Sequence, residues 1–101
     1  MAQFDVYRTR GGGTYPLVVD LQAEVHSRLG TRIVVPMVTS TGYTRPATQL
    51  TPVLKVRDDD YVVLFPLMAA VPRASLGAFV DSLAPQRATL IAALDLLIAG
   101  S

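Results

Sequence analysis

The stretch from Pro85 to Gly100, P-Q-R-A-T-L-I-A-A-L-D-L-L-I-A-G, constrains the fold most tightly. Pro85 suits the first turn of a helix, where its missing N–H is no loss. Gly100 suits a left-handed cap at the far end. Ala and Leu dominate between them, and both are strong helix formers. At 3.6 residues per turn, Leu90, Ile91, Leu94, Leu97 and Ile98 share one face, which should cover a core. The opposite face carries Ala88, Ala92, Leu96 and Ala99, with Thr89 and Asp95 beside them. A helix apolar on both faces is normally buried on both. A chain of 101 residues has too little protein to wrap that helix completely. The second face therefore predicts a partner, most simply another copy of the same chain, since a bare apolar patch on a monomer is a liability. The alternative is a tilted helix lying deep in its own domain.

The rest of the chain reads as strands. Gln3 to Tyr7 alternates, with Phe4 and Val6 inward and Gln3, Asp5 and Tyr7 on a wet face. Arg8 to Thr14, with Gly11, Gly12 and Gly13, is a flexible loop between two strands. It lacks the Gly-Lys-Ser/Thr ending and following helix of a phosphate cradle. Leu17 to Leu21 is a second strand, and Gln22 to Leu29 is irregular. Arg32 to Val38 reads as a central strand buried on both faces, with Pro36 marking a bulge or bend. Thr39 to Thr51 is a long polar excursion, either functional or a solvated connector. Val53–Arg57 and Tyr61–Phe65 form a hairpin around Asp58, Asp59 and Asp60. Pro66 and Pro72 frame a short edge strand, and Arg73 to Leu83 is a linking segment with a turn of helix at Ala78–Ser82. Strands first and a helix last predict a small, strongly bent antiparallel sheet or partly open barrel with a helix across it, not a parallel sheet. Residues 1–101 make one domain.

Half the residues are hydrophobic, so a real core needs no staples. There is no cysteine, which removes disulfides and thiolate chemistry. The opening Met-Ala-Gln-Phe-Asp lacks the basic and apolar regions of a signal peptide, and the longest apolar run is too short to span a bilayer. The expectation is a soluble cytoplasmic protein. A formal charge of +1 argues neither for nor against nucleic acid.

Catalytic chemistry is hard to build from these residues. His26 is the single histidine, so Cys–His nucleophiles and His-rich metal sites are excluded. The adjacent carboxylates of Asp58–Asp60 point apart in a turn and read as solvated, not metal-binding. Asp95 alone makes no general acid/base pair, and if buried it needs a partner. The arginines remain: Arg8, Arg10, Arg28, Arg32, Arg45, Arg57, Arg73 and Arg87. A cluster in the loops at 8–14 and 39–51 could bind phosphates or an acidic peptide; otherwise they are ordinary surface charge. The residues thus predict a dimeric binding domain with no catalytic residue, metal or cofactor.

The order of particular residues says more. Gln3-Phe4 and Val6-Tyr7 come first, then Tyr15, Leu17, Val19-Asp20 and Gln22, then Gly30, Arg32, Val34 and Pro36. Leu50 and Pro52 follow, then Met68-Ala69, Val71-Pro72 and the helix ending at Gly100. Over nearly the whole chain this resembles the CcdB family of plasmid-addiction toxins. The resemblance implies an SH3-like, partly open antiparallel barrel, shared with the MazF toxins, with one long C-terminal helix. It implies a homodimer whose helices meet near the two-fold axis, here through Ala88, Ala92, Leu96 and Ala99. It implies a toxin that is not an enzyme and does not bind nucleic acid directly. Such a toxin binds the GyrA subunit of DNA gyrase as a topoisomerase poison and is neutralised by a disordered CcdA-like antitoxin.

The positions of the gyrase contact are Asp95, Ile98, Ala99, Gly100 and Ser101, and of the family's end only Gly100 carries over. The family's poisoning toxins end in Trp-Gly-Ile, and here Ala99-Gly100-Ser101 stands in that place, with Asp95 where the family has Asn. Antitoxin binding is expected at Arg8, Arg10, Thr14 and Arg45. Two other readings stay open: a scaffold that no longer poisons gyrase and serves as an antitoxin-binding decoy or has a changed target, and a MazF-like endoribonuclease using groups in the 8–14 and 39–51 loops.

Overall fold

The computed structural model describes residues 2–11, 14–23 and 29–100. Its organising strand is β3, Thr31–Thr39, long enough to have two neighbours on one edge. Its first half pairs with β6, Ala69–Pro72, from Thr31 opposite Pro72 to Val34 opposite Ala69. Its second half pairs with β5, Asp59–Val63, from Met37 opposite Val63 to Thr39 opposite Tyr61. Pro36 lies at the handover, where its missing N–H interrupts neither of these ladders and its carbonyl accepts Leu64 N–H at 3.0 Å.

The other edge of β3 pairs with β2, Leu17–Asp20, which pairs with β1, Asp5–Thr9, and that with β7, Leu76–Ser82. With β4, Val53–Val56, beside β5, the antiparallel order is β4-β5-β3-β2-β1-β7. The two ends of this path are stitched together. Arg57, in the β4–β5 turn with φ 55°, donates its backbone N–H to Asp81 Oδ2 at 3.0 Å. Its guanidinium donates to Val80 O from Nε at 3.1 Å and Nη2 at 2.9 Å. The sheet therefore curls into a half-barrel, as the strand-then-helix order predicts.

A short 3-10 turn at Ala84–Gln86 contains Pro85 and leads into α1, Arg87–Ala99. Gly100 caps it at φ 75°, donating its N–H to Leu96 O at 3.0 Å. Leu90 and Ala93 are buried against Val6, Val19, Val35 and Phe65, with Ile91, Leu94 and Leu97 at the margin. Ile98, expected on this face, is instead 69% exposed. Its place is taken by Ala93, which is centred between Leu90 and Leu97 on the helix.

Other differences have local causes. Tyr7 is not on a wet face: it packs with Val18, Val34 and Leu76 in a second cluster on the far side of the sheet. Burial first, and the Asp5 carboxylate second, push its hydroxyl up to about 12. The linking segment expected at 73–83 is strand β7, with no helical turn at Ala78–Ser82. Register shifts against β1 break its alternation, so Leu76 and Val80 serve opposite clusters. Asp59 and Asp60 belong to β5, not to the turn, and Asp60 pairs with Lys55 at 3.2 Å. The irregular segment expected at 22–29 and His26 lie largely outside the described residues.

Arg32, paired with Asp20, corrects the view of the arginines as surface charge. Both are wholly buried and form an ion pair at 2.7 Å. Gln22 adds two bonds: its N–H donates to Asp20 Oδ1 at 2.9 Å, and its carbonyl accepts Arg32 Nη2 at 2.9 Å, while Arg32 Nη1 is buried without a hydrogen-bond partner among the described residues.

Candidate functional site

Two open surfaces among the described residues carry expected site residues. The first is the outer face of α1. Ala88, Thr89, Ala92, Asp95 and Ala99 are exposed and Leu96 half-buried, so one chain leaves this face uncovered. The ridge of small residues lies between two clefts. One is walled by the loop carrying Gln49 and Pro52, with Thr89 and Leu96 on the helix side. The other is lined by Arg87, Ala88, Ile91, Ala92 and Asp95. Asp95 therefore borders both, exposed, and does not need the buried partner considered from the sequence. Ile98, Ala99 and Gly100 continue the exposed face to the end of the helix, and Ser101 lies outside the described residues.

The second surface is at the loop end of the barrel. Thr14, Tyr15, Tyr43, Arg45 and Leu67 line a cleft between the loop after β1 and the excursion after β3. Through Thr14, Tyr15 and Leu67 it continues across the sheet face opposite α1, over Val18, Val34 and Val71. The loops hold their shape by local bonds. Thr9 Oγ1 donates to Tyr15 O at 2.7 Å, and Thr48 N–H donates to Thr51 Oγ1 at 2.9 Å. A 3-10 turn at Ser40–Gly42 sets the direction of the chain into Tyr43.

Of the four residues expected to act together here, the cleft joins only Thr14 and Arg45. Arg8 and Arg10 are exposed on the neighbouring strand and turn, and Arg10 Nη2 donates to Leu76 O at 3.3 Å. Tyr15, Tyr43 and Leu67 are not among the expected site residues. The sequence signal for the tyrosines is slight: Tyr15 adjoins Thr14 and stands among the residues that carry the resemblance, and Tyr43 lies two positions before Arg45. Among the described residues the cleft offers aromatic faces, hydroxyls, a guanidinium and an apolar floor. Among the described residues no three His, Cys, Asp or Glu gather where they could hold a metal ion. No helix among them is long and apolar enough to cross a membrane.

The family model described as CcdB protein matches residues 3–100. Among solved structures, the fold is similar to an endoribonuclease in complex with its cognate antitoxin from a mycobacterial species. The TM-score is 0.79 and the identity 14%, covering 98% of this chain and 95% of that one. It is also similar to an Mtb toxin, with TM-score 0.70 and 17% identity over 95% of this chain and 99% of the other. At these identities the two structures speak for the fold.

Proposed function

We propose, since the chain belongs to the CcdB family, that it is the toxin of a toxin–antitoxin pair, a homodimeric binding protein directed at the GyrA subunit of DNA gyrase and neutralised by a CcdA-like antitoxin. The observation that carries this reading is the family match over residues 3–100. The open faces support it: the end of α1, where the family's gyrase contact would fall, is exposed at Ile98, Ala99 and Gly100. The family's antitoxin is disordered and acidic, and the loop end presents Arg8, Arg10 and Arg45 beside a cleft with no carboxylate among its described residues.

The missing aromatic residue at position 99 weakens the gyrase contact. Loss of a large anchor from an interface costs about 2 kcal/mol or more, and a dimer presents that loss twice. Controlled expression in cells tests the reading. Weak growth arrest with little cleaved DNA, relieved by a co-expressed acidic antitoxin, is the expected outcome. Antitoxin binding should weaken when Arg8→Glu and Arg45→Glu are combined; unchanged binding would remove the loop end from the reading.

The tyrosine-lined cleft favours a second reading, an endoribonuclease like the mycobacterial structure above. Two aromatic rings and an arginine suit single-stranded RNA, whose bases stack and whose phosphates need charge. Cut RNA with intact DNA in the same experiment would favour it.

A further inference from the structure

We infer that the outer face of α1 pairs with the same face of a second copy in one antiparallel register, set by Arg87 of each copy meeting Asp95 of the other. This rests on the homodimer in the proposed function and adds the register and the residues that select it. Arg87 and Asp95 line one cleft together with Ala88, Ile91 and Ala92. They are eight positions apart on the helix, or about 12 Å along its axis, and Ile91 lies midway. A two-fold axis perpendicular to the helix at Ile91 exchanges positions 87 and 95. The patch is therefore self-complementary in charge, as an isologous interface must be. A parallel arrangement would place like charges together and is disfavoured.

The shapes agree with the charges. Small side chains at Ala88 and Ala92 let two helices approach closely, and the clefts beside the ridge provide grooves for the ridge of the other copy. Neither charge is committed elsewhere by a strong contact. Asp95 has no hydrogen bond or ion pair among the described residues, and Arg87 Nη1 has an exposed bond to Gln3 Oε1 at 3.0 Å. The Arg87 guanidinium also stands 5.6 Å from the centre of the Phe4 ring, which holds it at the rim of the cleft.

The test uses two single reversals and their mixture. Arg87→Glu places Glu opposite Asp95 of the other copy, and Asp95→Arg places Arg opposite Arg87. Each variant alone should dimerise about tenfold or more weakly than the parent by sedimentation equilibrium. Mixed together they should form a heterodimer, because both inter-copy contacts then join opposite charges. The mixture also controls for folding, since a misfolded variant rescues nothing. If both variants dimerise as tightly as the parent, and mixing yields no preference for the heterodimer, this register is wrong while the homodimer stands. A parent that stays monomeric at high micromolar concentration overturns both.

Discussion

Arg32 shows how much a single side chain can carry beyond what its residue type suggests. In the sequence it is one arginine among several; in the fold it is wholly buried against Asp20. Nothing in its neighbours, Thr31 and Ile33, marks it, because the strand register alone puts Arg32 and Asp20 on the same sheet face. Breaking a buried pair leaves an uncompensated charge, so Arg32→Ala should cost about 3–5 kcal/mol in urea unfolding. Asp81 makes a subtler contribution. The backbone N–H of Arg57, and then that of Ser82, hold its carboxyl below the usual value of 3.8. A carboxyl with a lowered folded pKa stabilises above its unfolded value, and that stability is lost as pH falls below 3.8 through the folded value. Asp81→Asn should therefore flatten the acid limb of a stability–pH curve; an unchanged limb would mean that the Arg57 latch does not couple to folding.

At the scale of elements, α1 was the most legible part of the chain and β7 the least. Alanine and leucine density, with Pro85 and Gly100 as punctuation, was enough to place the helix within a turn. The identity of its buried centre was not, because Ala93 and Ile98 differ in burial by position on the sheet and not by hydrophobicity. Leu90→Ala should cost about 2–5 kcal/mol of fold stability, whereas Ile98→Ser should stay within about 0.5 kcal/mol. Thermal melts of the two variants, side by side, check the assignment of faces. Strand β7 was hidden because its bulges break the two-residue period on which strand reading depends. Gly77 is the local reason for one of them: a Cβ there would lie 2.9 Å from the backbone oxygen of Arg8. Gly77→Ala should destabilise by about 1–3 kcal/mol through a shift of β1 or β7. A melting temperature equal to the parent's would show that the strands part at no cost.

For the whole molecule, the half-barrel with a helix across it followed from the order of strands and helix and from the resemblance to CcdB toxins. The loop-end cleft did not, because Thr14, Tyr15 and Arg45 meet Leu67 only after β3 has passed Pro36 and brought its two neighbours to one edge. Gly100 makes the left-handed turn at the end of the helix, and Ala99 offers no ring to fill a pocket. The central proposal is that this scaffold still fits gyrase and is weakened at its tail. The most direct measurement is DNA cleavage by purified gyrase with the parent protein and with the Ala99→Trp, Ser101→Ile variant. Little linear DNA is expected with the parent and a clear gain with the variant. Failure of the variant to raise cleavage, with its fold and dimer intact, would contradict a gyrase-directed surface.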